Sequence, residues 1–274
     1  MKRWGHQLTL TAWCLLLLLL AGCSTEPDYA PPAPTVTPFP ADLYIGLSDS
    51  AAPLADLVGA SYEDATGHAA PVFLIGNDET LRNDVQQGTL EAAIVYYLPA
   101  DSQLWFTPIA LDAVVTMVHP DLPIENLTSN QLRSIYNGSI TNWAEVGGPD
   151  LTIDALNRES GAGPRDVLSQ RVMGSARFSN LARIAASDDF MQQEILANPA
   201  TIGYTTMVAA GGEATSLDER HATQATVADQ TYPLTTPLYF VTLNEPSSLL
   251  RDFLAWMQSP DGQAVLGEKY GRVR

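Results

Sequence analysis

Residues 127–165, LTSNQLRSIYNGSITNWAEVGGPDLTIDALNRESGAGPR, decide how the rest of the chain is read. Thr128 and Gln131 have capping-box spacing, and Leu127 and Leu132 sit where a hydrophobic staple would. Leu132, Ile135 and Tyr136 make one apolar helix face, which Asn137-Gly138 ends. Leu151–Asn157 alternates as a strand does, and Asp166–Met173 has helical character with Pro164 near its first turn. Between them, Arg158–Arg165 is a glycine-bearing turn. A strand, a glycine-rich turn and a helix start gather outward-facing backbone N–H groups, which is a cradle for an anion. Arg158 at the strand end adds a permanent, forked positive charge. A glycine-rich turn also serves plain chain reversal, and this stretch alone leaves both uses open.

Working outward, a second junction of the same kind lies upstream. Leu43–Leu47 reads as a strand, Ser48-Asp49-Ser50 follows, and a helix runs over 53–65 with Leu54, Leu57, Val58 and Tyr62 on one face. The hydroxyls of Ser48 and Ser50 suit helix capping and anion binding alike, because both use the same amides. Val72–Ile75 and Ala92–Leu98 are predicted strands, with a helix over Glu79–Gln87. Trp105–Ala110 and Ala113–Val118 are two further strand runs. Downstream come a helix at Ser187–Ala197, a strand at Thr201–Val208 and a polar, loop-rich segment over 211–230. A strand within Tyr232–Leu243 and helices at Ser248–Gln258 and Gly262–Tyr270 finish the chain. Strands alternating with helices argue for an α/β protein.

The 274 residues carry 14 Lys and Arg against 31 Asp and Glu, a net charge of −17. That excludes a phosphate backbone as partner, since nucleic acids are held by basic surfaces. It does not exclude a small anion, which is held by local dipoles and hydrogen bonds. No G-x-S-x-G, H-E-x-x-H or P-loop occurs. Asp84 and Asp188-Asp189 lack calcium-loop spacing, and the four histidines are scattered. The expectation is a binding protein without metal or cofactor, not an enzyme.

The start of the chain reads as a targeting segment. Lys2 and Arg3 precede a short apolar run over Trp13–Leu20, and Leu20-Ala21-Gly22-Cys23 follows. Residues 24–40 are rich in proline, which suits a semi-extended tether. Both cysteines, Cys14 and Cys23, lie in the leader, so no disulfide is expected in the folded part.

In the order and spacing of these pieces, the chain resembles the PstS-like phosphate-binding lipoproteins of bacterial ABC importers. The matching pieces are LTSNQLRSIYNG, Trp143, Gly147-Gly148, Arg158–Pro164 and the TIGY of residues 201–204. The family's strand ends in R-x-x-G-S-G-T. Here Ala162 stands at its serine and Pro164 at its threonine. Ala93 stands where the family has the Asp that accepts a hydrogen bond from protonated phosphate.

The resemblance implies a two-lobed, type II periplasmic-binding-protein-like α/β fold with two hinge crossings. It implies a lipoprotein signal peptide over 1–22, a lipidated Cys23, and a Pro-rich tether over 23–41. Lobe I would be 42–112 plus 234–274, and lobe II 113–233. The ligand site would comprise Ser48, Asp49, Ser50, Arg158, Gly161, Ala162 and Gly163, with Asp49 available as a replacement acceptor. The expected partners are inorganic phosphate or a similar oxyanion and an importer permease, for a monomer anchored on the extracytoplasmic face. The alternative is a degenerate receptor fold that serves as a surface interaction or sensing module.

Overall fold

A computed structural model of the protein describes residues 43–212 and 214–273. The leader, Cys23 and the tether lie outside the described residues. Strand β1 (Tyr44–Ser48) leads through a 3₁₀ turn (Asp49–Ala51) into α1 (Pro53–Thr66), then β2 (Val72–Gly76), α2 (Asp78–Gln87) and β3 (Ala92–Val95). The long β4 (Trp105–Val118) follows, then β5 (Asn126–Leu127), α3 (Ser129–Tyr136) and β6 (Asp154–Arg158). Next come α4 (Gly163–Leu168), β7 (Arg183–Ala185), α5 (Asp188–Ala197), β8 (Thr201–Thr206), α6 (Met207–Ala210) and β9 (Ser216–Leu217). The chain closes with α7 (Gln224–Ala228), β10 (Thr235–Thr242), α8 (Ser248–Met257) and α9 (Pro260–Leu266).

Local chemistry accounts for most boundaries. Pro53 opens α1, Leu54, Val58 and Tyr62 bury its inner face, and Gly67 ends it at φ 71°. Asn77 caps α2 by accepting from the Glu79 amide. The capping box of Thr128 and Gln131 is formed, and its helix ends at Asn137 before a left-handed Gly138. Helix α4 starts at Gly163 rather than at 166, because Ala162 already accepts from the Asp166 amide. The segment Ser169–Met173 that continues it is a π-helical turn.

The main sheet has the order β2-β1-β3-β10-β4-β8-β6-β7. Strands β2, β1 and β3 run parallel, as do β8, β6 and β7, and the antiparallel β10 and β4 join the two sets. The two strand runs expected at 105–110 and 113–118 are one continuous strand. Its first part pairs with β10 and its second with β8, the change falling at Ala113 and Val114. Asp112 breaks the apolar pattern at that point but not the strand. Its carboxylate is fully buried and accepts from the Tyr96 hydroxyl at 2.7 Å and the Ala113 amide at 2.7 Å.

Two main apolar cores flank this exchange. One gathers Ile45, Leu54, Tyr62, Phe240, Phe253 and Trp256. The other gathers Tyr136, Trp143, Leu156, Ile202, Tyr204 and Leu234. A smaller cluster of Leu81, Val85, Val95 and Val241 covers the other face of the β3 region, as strand alternation requires. The strand expected over 92–98 stops at Val95, because the amides of Tyr96 and Tyr97 turn out of the ladder to the Asp78 carboxylate. No helix among the described residues is long and apolar enough to cross a membrane.

Candidate functional site

Four strand ends meet where the two cores face each other: the carboxyl ends of β1, β2, β6 and β7. In sheets of parallel strands this edge collects ligands, since each strand there turns into a helix start. Ser48 ends β1 and Asp49 and Ser50 follow it at this edge, and the turn through Gly161, Ala162 and Gly163 follows Arg158 at the end of β6. Arg158, last in β6, has a fully buried side chain, and its backbone amide donates to the Tyr204 hydroxyl at 3.1 Å. Its guanidinium reaches back to β1. Nη1 donates to Ser50 Oγ at 3.2 Å and to Asp188 Oδ1 at 2.6 Å. Nη2 donates to Asp49 Oδ2 and to Glu159 Oε1, and Nε donates to Glu159 Oε2 at 3.2 Å. A guanidinium has five N–H donors, and all five are engaged.

Burial by itself works against the guanidinium charge. The carboxylates of Asp188 and Asp49 outweigh it and hold Arg158 firmly protonated. Burial pushes the Asp188 carboxyl up, with Arg158 opposing. Three carboxylates around one guanidinium leave this corner negative overall.

Neither Ser48 nor Ser50 caps a helix: the residue before α1 is Ala52, which makes no side-chain cap, and Ser48 does not cap the 3₁₀ turn. The capping use that the sequence left open is therefore not taken. Ser48 is fully buried at the end of β1, and its Oγ has no hydrogen-bond partner. The Ser50 carbonyl accepts from Tyr96 and Thr206 hydroxyls, each at 3.3 Å. Asp49 is not a free acceptor. Its Oδ1 takes the Ser50 amide at 2.8 Å while Oδ2 holds Arg158.

The glycine turn packs against the start of α2. Gly161 adopts φ 80°, and its carbonyl accepts from the Glu79 amide at 3.1 Å. Asn77 donates to the Ser160 carbonyl and to Glu159, each at 3.2 Å. A methyl group on Gly161 would lie 2.5 Å from Glu79 Cβ, and one on Gly163 would lie 2.5 Å from Asp78 Oδ2. Both glycines are thus needed for close approach as well as for the turn. Ala162 is buried between them and brings no polar side chain. Arg82 and Asp166, 3.7 Å apart, add a weaker tie between α2 and α4.

Sequence reasoning missed Asp78, Asp188, Glu159 and Asn77. The available signal was positional. Asn77-Asp78-Glu79 repeats at β2 what Ser48-Asp49-Ser50 is at β1, and Ser187-Asp188 repeats it after β7. Asp78 is the most unusual of these. It is fully buried, and its carboxyl is pushed up to about 6, first by burial, with Ser48, the Tyr96 amide and Arg82 opposing.

Comparison with known proteins gives a consistent picture. A family model described as the PBP superfamily domain matches residues 35–261. The phosphate-binding protein PstS of Borreliella burgdorferi is 25% identical over 209 residues, covering 71% of this chain and 70% of that protein. The phosphate-binding protein PstS of Bacillus subtilis is 26% identical over 168 residues, covering 60% of this chain and 56% of that protein. Among solved structures, a protein of Clostridium perfringens described as a phosphate ABC transporter substrate-binding protein with bound phosphate superposes with a TM-score of 0.79. It is 23% identical and covers 85% of this chain and 100% of its own. An ABC-type phosphate transport receptor from Vibrio cholerae gives 0.70 at 23% identity, over 84% of this chain and 99% of its own. These superpositions bear out the two-lobed α/β fold, and the resemblance read from the sequence stands.

Proposed function

This chain belongs to the PBP superfamily domain family, and from that premise we propose that it is an extracytoplasmic receptor that captures phosphate, or a closely related oxyanion, for an ABC importer. The observation that carries the reading is the convergence of a buried arginine, two buried serines and a glycine turn on one point between two cores. Two relatives named for phosphate binding support it. In this reading the protein binds and releases its ligand and makes or breaks no covalent bond in it.

The lobes of this receptor are 42–112 with 234–274, and 113–233. Strands β4 and β10 carry the chain between them. Ser48, Asp49 and Ser50 belong to lobe I, and Arg158 with Gly161, Ala162 and Gly163 to lobe II. Closure favours a ligand that touches both. Arg158 is already saturated by carboxylates, so capture is an exchange. The entering oxyanion takes N–H donors from Asp49 or Asp188, and the displaced carboxylate turns to solvent or to the anion's own proton. Such a site suits a small anion that brings hydrogen with it. Lipidation at Cys23 holds the receptor on the extracytoplasmic face of the cell membrane, and the tether gives it reach.

A thermal-shift and calorimetry screen over phosphate, sulfate, molybdate and a phosphonate tests the reading, with Arg158→Lys as control. Lysine keeps a charge but cannot fork, so phosphate binding should drop by about tenfold or more. The saturation of Arg158 by the chain's own carboxylates also favours a second reading, a receptor fold kept closed for surface interaction. Failure of every anion to bind would select it.

A further inference from the structure

Both strands that cross between the lobes are hydrogen-bonded to Tyr96, which lies just past the end of β3. Its carbonyl accepts from the Thr236 hydroxyl on β10 at 3.2 Å, and its own hydroxyl donates to Asp112 Oδ2 on β4 at 2.7 Å. The same hydroxyl lies 3.3 Å from the Ser50 carbonyl at the candidate site. The Tyr96 amide donates to Asp78 at the start of α2. Across the lobes, a methyl group on Gly163 would lie 2.8 Å from Tyr96 Cβ. Tyr96, Asp112 and Thr206 are all fully buried.

Asp112 stands where β4 exchanges β10 for β8 as its partner, and groups from both lobes enclose it. From lobe I come Tyr96 and Tyr270, which follows α9 and whose buried hydroxyl has no hydrogen-bond partner. From lobe II come the Thr206 hydroxyl, at the end of β8, and the Val208 amide, and on its own strand the Ala113 amide. Asp112 makes no ion pair among the described residues. Arg158, which reaches Ser50 Oγ, is held by Asp49, Asp188 and Glu159. Burial outweighs the donors and pushes the Asp112 carboxyl up to about 7. Separating the lobes draws Thr206 and Val208 away and lets water reach the carboxyl, which favours its charged form.

We propose that Tyr96 is the positioning residue that ties the anion site to the hinge, and that Asp112 takes up a proton from solvent as the lobes close. The proposal rests on the receptor reading above and deepens it, by linking capture to protonation of the protein. The chemistry is a switch of one hydrogen. While Asp112 is charged, the Tyr96 hydrogen points to Oδ2. Once the carboxyl holds its own proton, it donates that proton to the Tyr96 oxygen, and the Tyr96 hydrogen turns to the Ser50 carbonyl. Ser50 also receives Thr206 of lobe II at its carbonyl and Arg158 of lobe II at its hydroxyl. The closed arrangement is thereby reinforced where the lobes meet.

The test is calorimetry with inorganic phosphate on the full-length protein in mild detergent, for wild type, Asp112→Asn and Tyr96→Phe. Titration at pH 6 in two buffers of different ionisation enthalpy counts the protons taken up on binding. The anion's own titration is common to all three proteins and cancels in the comparison. Wild type should take up more protons than Asp112→Asn, by up to about one per phosphate. From pH 5 to pH 8, wild-type affinity should fall by about tenfold or more relative to Asp112→Asn. Tyr96→Phe keeps the ring against Gly163 but removes a donor that favours the charged carboxyl. Its proton uptake should persist at pH 8, where wild type has nearly lost it, and it should bind phosphate several-fold more weakly at pH 6. Circular dichroism identifies the folded variants, and if Asp112→Asn does not fold, Tyr96→Phe decides alone. Equal proton uptake by wild type and Asp112→Asn overturns the role of Asp112. Uptake at pH 8 that Tyr96→Phe leaves unchanged overturns that of Tyr96. A wild type that binds no phosphate overturns the receptor reading, and the proposal with it.

Discussion

Two fully buried carboxyls contribute to how the folded protein responds to pH. Burial pushes Asp112 up to about 7, with the Tyr96 hydroxyl and the Ala113 amide opposing, and Asp78 up to about 6. Between the ordinary value of 3.8 and those values, the native chain holds protons that the unfolded chain has released. Stability therefore rises as the native state gains protons. This contribution is complete below about 4 and is lost as pH rises through 6 and 7. Paired carboxylates such as Asp154, held down by Arg183, act in the opposite sense but only at lower pH. Wild-type melting temperature should accordingly climb by several degrees from pH 8 to pH 5. Asp112→Asn keeps an acceptor for the Ala113 amide and removes the buried charge. It should melt higher than wild type at pH 8 and show a flatter profile, measured by scanning calorimetry. Parallel profiles for the two proteins would refute this account.

At the scale of elements, glycine has opposite meanings in α1 and α4. Gly59 lies within α1, and a methyl group there would meet only Ala70 Cβ at 3.9 Å, an ordinary contact. Gly59→Ala should stabilise by up to about 1 kcal/mol through helix propensity. Gly163 starts α4 against the Asp78 carboxyl and Tyr96 Cβ, which a methyl group would approach to 2.5 and 2.8 Å. The carboxyl cannot retreat without losing its two amides, so the helix must move. Gly163→Ala should lower stability by about 1–3 kcal/mol, the usual cost of overpacking, and weaken phosphate binding with it. Urea unfolding of both variants checks the contrast. Equal effects would mean that the α2–α4 approach is looser than its geometry.

For the whole molecule, the sheet order explains how one chain builds two cores. Three parallel strands stand on each side, and β10 and β4 lie between them. An arrangement of this kind permits a change in angle between halves while each core keeps its packing. Attachment belongs to this scale too. Lys2, Arg3, the apolar run and Leu20-Ala21-Gly22-Cys23 motivate the hypothesis that the receptor is a lipoprotein. Replacing Cys23 with Ser should shift the protein from the membrane fraction to the soluble fraction or stop its processing. Normal cleavage and anchoring of the Ser variant would exclude it.

Periodicity and capping residues are local, and the sequence by itself determined what they govern. Thr128 and Gln131, Asn137-Gly138, and the buried spacing of Leu54, Val58 and Tyr62 placed α3 and α1 close to where they stand. Arg158 and the glycine turn were legible because a charge and a missing Cβ are properties of single residues. Asp112 interrupts an apolar run, and a carboxylate there looks like a strand end until Tyr96, just past the end of β3, hydrogen-bonds it. The reach of Val95 as a strand end was hidden for the same reason: Asp78 takes the next two amides. Only the tertiary structure decided that Arg158 meets Asp49 and Asp188, and that Asp78 rather than Asp49 keeps an unpaired oxygen. Such pairings depend on which strand ends become neighbours. That is settled by the burial of two cores across the whole sheet, not by any residue's immediate surroundings in the chain.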